Sequence, residues 1–522
     1  MTAGETLVSP AVTTICVDGS FDRCSQVVEN RARLLLERGG AIRRASMTSR
    51  TRAASETIGR KTGSALSALA LLAAILAPTV PAYAQDGASL IRDTEIEEIL
   101  HHDADPIYAA AGLDPKTVRI LLVGDKELNA FATQGLMMGL NTGLILQTET
   151  PNQLKGVIAH ETGHLAGAHP LRSGEMMRAG LTPMILTMGL GVLAALAGAP
   201  DAGAVLMGNA SYFGALGALG YSRDQESRAD QAGAGFLEAT GQSGRGLVEF
   251  FDNFRYQEVF DQSRRYAYFR SHPLSGDRID ALRSRVEKLP HYNTVDDPTS
   301  LAEHEIMRAK LEGFLNPGVA IVKYKENDRG FPARYARAIA YYQMKEPDRA
   351  LKILDGLIAE NPNNPYLWEL KGQILFEFNR VKEAEEPQRR SVALKPDAAL
   401  LRVNLGQTLI GLDDPKKVDE GVAELKRSLL DENDNSVAWR LLAQAYDKRG
   451  EDGQARLATA EQYFNMGATQ EARVFAMRAR ELLKKDSVEW RRATDIVLTS
   501  NPSNQDLKDL AKEGAVTSGL RR

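Results

Sequence analysis

Apolar and polar positions alternate differently in successive parts of the chain. Residues 64–78, SALSALALLAAILAP, form one apolar run, preceded by Arg50, Arg52, Arg60 and Lys61 and followed by AYA ahead of Gln85. That layout predicts an export signal over 47–84, cleaved after Ala84. From Glu95 to about Arg285, helical periodicities surround one strand pattern, VRILLV at 118–123, which predicts an α+β unit over 85–290. KLPHYNTVDDPTS contains proline and has no apolar period, so 291–330 reads as a linker. Beyond Phe331 the pattern is helical throughout.

The helical part repeats. Pro362 and Pro396 stand 34 positions apart in similar contexts. On that register Ala338, Tyr341 and Ala350 fill small, aromatic and small slots, and Trp368, Gly372 and Ala384 fill them again. Gly406 and Leu409 continue, and after a short insertion near 413–417, Trp439, Ala443, Tyr446 and Ala455 resume. Tyr463 and Ala472 mark a partial pair. Small residues let paired helices approach while large ones fill the gaps between neighbours, so residues 331–500 resemble a solenoid of tetratricopeptide repeats. A polar tail, 501–522, follows.

Composition narrows the function classes. The chain has 522 residues, 43% hydrophobic and 25% charged, with a formal charge of −4, so nucleic acid is not an expected partner. Residues 1–46 precede a plausible signal start at Met47 and read as an over-long extension. Cys16 and Cys24 both fall there. Cleavage after Ala84 would remove ten basic and six acidic residues, leaving −8 and no cysteine. The expected product is a periplasmic protein without disulfides or thiolate metal ligands.

The chemistry concentrates in HETGHLAGAHP, residues 160–170. His160 and His164, one helical turn apart, can point two imidazoles at one ion, with Glu161 beside them as a general base for water. A third ligand is needed. Gly167 suggests the pattern HExxHxxGxxH, but His169 arrives one position early and Pro170 stands in its slot. Nine residues past His160, His169 would lie about half a turn off the ligand face. It is expected to support the helix end. ESRAD, at 226–230, offers Glu226 as the third ligand, with Asp230 on the same helix face to brace it.

HExxH followed at a distance by ExxxD resembles the zinc peptidase family of HtpX and the CAAX prenyl protease. NAFATQGLMMGLNTGLI (129–145) is similar to the family's strand region before the zinc helix, and SHPLSGDRID (271–280) to a downstream segment that places His272 and Arg278. With an export signal before and repeats after, the chain resembles that family's subgroup of periplasmic β-barrel assembly-enhancing proteases. The resemblance implies a mainly α protein: a gluzincin-type α+β domain with a small sheet and one Zn2+, then the repeat solenoid. It implies an endopeptidase acting on misfolded or misassembled outer-membrane proteins. An edge strand involving Asn129, Ala130, Phe131, Gly143 and Leu144 would pair with the substrate. The repeats would dock on the assembly machinery. His272 has three readings: a donor to the oxyanion, a resting block on the metal, or a structural histidine beside Pro273. The rival function is a chaperone or assembly scaffold with a quiescent zinc site.

Between the ligand segments, 181–199 is apolar enough to resemble a membrane span. His160 and Glu226 must lie on one side of any membrane to share an ion, so a single crossing is excluded. The expectation is a hairpin over 181–219, soluble and lying over the active site, with membrane contact as the alternative.

Overall fold

The structure, a computed structural model, describes residues 89–196, 200–255, 268 and 272–512. The expected signal, the extension before it and residues 513–522 of the tail lie outside the described residues.

The fold is mostly helical. Strand β1 (Ser89–Ile91) leads into α1 (Thr94–Ala110), where the Asp93 carboxylate accepts from the Ile96 amide and caps the helix. Strands β2 (Arg119–Gly124), β3 (Ala130–Thr133) and β4 (Met137–Asn141) complete a mixed sheet in the order β1-β2-β4-β3. β2 runs parallel to β4 and β3 antiparallel to it, with Phe131 opposite Gly139. β3 is therefore an edge. A short helix, α2 (Thr142–Gln147), then precedes α3 (Pro151–Ala166), which begins at a Thr150 cap with Pro151 in the first turn. α3 is buried along nearly its whole length, among Leu100, Met138, Leu237 and Phe250.

α4 (Ser173–Leu196), α5 (Pro200–Gly208) and α6 (Ala210–Ala239) follow, then α7 (Arg245–Arg255) and α8 (Gly276–Val286). α4 packs on α6, α5 and the short 3-10 turn His169–Leu171. The expected cover over the active site is corrected: Ile185, Leu186, Leu190 and Leu193 on α4 are exposed, with no core element facing them among the described residues.

The stretch 291–330 is also corrected, because it contains α9 (Pro298–Leu315) and α10 (Pro317–Lys323). Asp297 caps α9 and Pro298 opens it. Ser300, His304, Met307, Lys310 and Leu311 are buried on it, and that mixed polar and apolar face explains the missing apolar period.

The repeat helices pack consecutively: α11 (Phe331–Gln343) with α12 (Pro347–Glu360), α13 (Pro365–Glu377) with α14 (Val381–Leu394), α15 (Ala399–Gly411) with α16 (Pro415–Asp431), and α17 (Ser436–Lys448) with α18 (Asp452–Asn465). Each pair turns at a residue with positive φ, Lys345, Asn379, Asp413 or Gly450, and the first three follow the 34-residue register. Ala338, Ala350 and Ala384 are fully buried. α19 (Thr469–Leu482) and α20 (Val488–Thr499) extend the stack. Part of the expected tail is instead α21 (Asn504–Lys512), held by buried Leu510.

Candidate metal centre

Two long helices build the site because glycine lets them touch. A Cβ on Gly163 of α3 would come within 2.8 Å of the Ala229 carbonyl oxygen on α6, and one on Gly233 within 3.0 Å of Ala159. With backbones this close, His160 and His164 on one helix meet Glu226 on the other.

Their donor atoms converge. His160 Nε2 lies 3.1 Å from His164 Nε2, and Glu226 places Oε2 3.5 Å from the first and Oε1 3.5 Å from the second. His272 joins them, its Nδ1 3.2 Å from both Glu226 oxygens and 3.4 Å from His160 Nε2. One ligand atom from each of these four buried residues falls within 4.8 Å of all the others.

The outer faces of the imidazoles are occupied. Asp230 Oδ1 is 2.9 Å from His160 Nδ1, and His169 Nδ1 is 2.8 Å from His164 Nδ1. With a cation bound in place of the inward-facing proton, a proton on each of those outer nitrogens would leave both Nε2 lone pairs facing the metal. Asp230 is in turn gripped by Arg278, which donates from Nε at 2.7 Å and Nη2 at 2.9 Å. Arg278 also donates to the Pro273 carbonyl at 2.7 Å and stands 3.2 Å from Glu226 Oε2, tying the His272 segment to α6.

The electrostatics match a cation site. Burial alone would lower His160, but Asp230 and Glu226 override it and lift its pKa to about 10. Burial, with His160 and His272 nearby, pushes His164 down to about 2. Burial would raise Glu226, but His160 and His272 hold it well below the usual carboxylate range. Glu161 is fully buried, and neither carboxylate oxygen has a hydrogen-bond partner, Oε1 lying 3.5 Å from His272 Nε2. A buried carboxylate without a hydrogen bond beside a nest of imidazoles is what a divalent cation and a water would complete, so the residues fit a metal.

Of the expected site residues, His160, Glu161, His164, Glu226, Asp230, His272, Arg278 and His169 come together here. Asn129 precedes β3, while Ala130 and Phe131 lie on it. Gly143 and Leu144 do not share that edge. They are buried on α2, where a Cβ on Gly143 would strike the Lys126 carbonyl at 2.2 Å. The polar-flanked Gly-Leu pair reads as extended in sequence, but the backbone turns at Asn141 and the Gly143 amide donates to Asp125.

Two aromatic neighbours escaped the sequence reading. Tyr268 is fully buried with its ring 4.7 Å from His272, tilted by 30°, and Phe251 meets the His160 ring edge-on at 5.9 Å. Tyr268 stands four residues before His272, a helical spacing that could have flagged it.

Residues 90–286 match the profile of peptidase family M48, and residues 335–399 that of the tetratricopeptide repeat. The beta-barrel assembly-enhancing protease of Yersinia pestis is 25% identical over 382 residues, 72% of this chain and 77% of that protein. That of Escherichia coli (strain K12) is 24% identical over 393 residues, covering 74% and 79%. Metalloprotease LoiP of Escherichia coli (strain K12) is 30% identical over 168 residues, 31% of this chain and 60% of that protein. Every residue of the metal centre lies inside the M48 match. The chain carries an M48 metallopeptidase domain ahead of tetratricopeptide repeats.

Proposed function

We propose that the chain is a periplasmic, zinc-dependent endopeptidase that removes misfolded or misassembled outer-membrane proteins. The observation that carries this reading is the buried carboxylate of Glu161, without a hydrogen bond beside three imidazoles and Glu226. A purely structural metal site has no use for such a group.

His160, His164 and Glu226 would hold the ion. Zinc bound there supplies a Lewis acid that polarises the scissile carbonyl and acidifies water. Glu161 takes the proton from the attacking water and passes it to the leaving amine. Asp230 and His169 keep the two ligand imidazoles in their inward-facing tautomers, and Arg278 fixes Asp230. The free edge of β3 near Ala130 and Phe131 offers backbone groups to an extended substrate. The repeats act as a protein-binding scaffold, with the outer-membrane assembly machinery as the proposed partner. The export signal expected at 47–84 and the names of the relatives support the periplasmic setting and the substrate class.

Because His272 Nδ1 stands among the ligand atoms, the resting site is proposed to hold His272 against the metal position until substrate arrives. His272→Ala is then expected to raise cleavage of unfolded protein. A loss of cleavage would instead assign it to the oxyanion, and an unchanged rate would leave it structural. The reading as a whole is tested with the purified chain and an unfolded outer-membrane β-barrel protein. A chelator should stop cleavage and zinc should restore it, whereas cleavage indifferent to the chelator would overturn the proposal.

A further inference from the structure

The apolar surface of α4 and α6 does not belong to the metal centre. Residues 179–222 contain a single charged residue, Asp201. Gly174–Ala194 is long and apolar enough to cross a membrane, yet only 11% of that stretch is buried. Its exposed side chains are not confined to one stripe: at about 100° per residue, Leu181, Ile185, Leu186, Leu190 and Leu193 cover about half of the helix circumference. On α6, Tyr212, Phe213, Leu216 and Leu219 are exposed as well. A protein partner covers one face of a helix, whereas lipid surrounds it.

Three further observations point the same way. The helices meet through small residues: a Cβ on Gly214 would come within 3.0 Å of the Gly180 carbonyl, and one on Gly217 within 2.3 Å of that of Ala179. Such close backbone contact is how helices associate where no water drives them together. Polar side chains in the hairpin turn back on their own backbone, Thr182 to Arg178, Thr187 to Pro183 and Asn209 to Val205, at 2.9, 2.7 and 2.8 Å. In hydrocarbon no other partner is available. The charge pattern changes at the root, where Arg172, Arg178, Arg223 and Arg228 are exposed and Tyr221 donates to Glu175 at 2.7 Å. Basic and tyrosyl side chains there complement the anionic head-group layer.

We propose that α4 and the amino-terminal half of α6 insert into the apolar interior of a lipid bilayer. α6 is continuous through both regions, and Glu226 lies five residues past Tyr221, about 8 Å along the axis. Insertion therefore holds the metal centre at the membrane surface, within reach of polypeptide segments emerging there. That last step rests on the peptidase reading, while insertion itself does not.

The test is flotation of the full chain with vesicles of phosphatidylethanolamine and phosphatidylglycerol, read as partitioning alone so that a failed peptidase reading would not affect it. The wild-type chain should float with the vesicles. The double variant Ile185→Lys, Leu193→Lys alters only exposed side chains and should lower the floating fraction by about tenfold or more. Circular dichroism checks that it has folded. Three results would overturn the inference: a wild-type chain that stays in the aqueous fraction, a double variant that floats equally well, or a vesicle-free oligomer in which a second copy covers the hairpin.

Discussion

Two of the buried charge clusters in the described part of the molecule are built on opposite terms. Where α9 meets α1 and the first repeats, Lys310 donates to Asp93 at 2.8 Å and to Glu95 at 2.9 Å, and Tyr335 donates to the same Glu95 oxygen at 2.9 Å. Asp93 also caps α1, so every charge there has a partner. At the metal centre the counterpart is Glu161, equally buried and without a hydrogen-bond partner. Satisfied charges hold the peptidase domain to the repeats. Glu161, without a hydrogen bond and 3.5 Å from His272 Nε2, is the group to which the proposed mechanism gives the role of base.

The sharpest way to break this comparison is to unpair the satisfied cluster. Lys310→Met should strand Asp93 and Glu95 in a low-dielectric interior and lower unfolding stability by about 3–5 kcal/mol in a urea titration. Metal content of the folded fraction should not change. A loss below about 1 kcal/mol would show that the junction is less dependent on its charges than this account holds.

A smaller effect concerns pH. Burial lowers His304 on α9 to about 4, and its Nε2 donates to the Thr148 carbonyl at 3.1 Å. The folded state therefore keeps this imidazole neutral while the unfolded chain takes up a proton near pH 6.5. Stability is complete above that value and falls as pH drops toward 4, by roughly 3 kcal/mol in all. His304→Gln keeps a donor but does not titrate, so about one proton's worth of the pH slope should vanish between pH 6.5 and 4. An unchanged slope would place the acid sensitivity elsewhere.

The smallest effect lies on the surface. Arg119 and Asp434 pair at 2.6 Å between β2 and the α16–α17 turn, with both side chains substantially exposed. Arg119→Ala should cost under about 1 kcal/mol. A larger cost would mean that the two regions are held together from outside as much as from the buried cluster.

These differences track what could be read from sequence. His160, His164 and Glu226 were legible because each sits on a helix whose spacing fixes its direction, and Asp230 followed by one more turn. The repeats were legible because their small residues recur at one period. α9 was not, since the positions that face inward carry Ser300, His304 and Lys310, whose partners lie about 150 to 215 residues away. The turn at Asn141 that buries Gly143 and Leu144 depends on Asp125 and Lys126 approaching from the preceding loop, which no local pattern reports. The apolar composition of 181–199 was plain, but composition cannot say whether such a helix is covered or exposed.

Glu161 is proposed as the base of a peptidase and not as a ligand or a strut. Glu161→Gln changes one buried oxygen for an amide and leaves His160, His164 and Glu226 intact. Metal content and cleavage of an unfolded protein, measured on the same purified sample, test the claim most directly. The variant should hold one ion per chain, as in wild type, with cleavage reduced about 10²- to 10⁴-fold. Cleavage at the wild-type rate with the metal in place would contradict it.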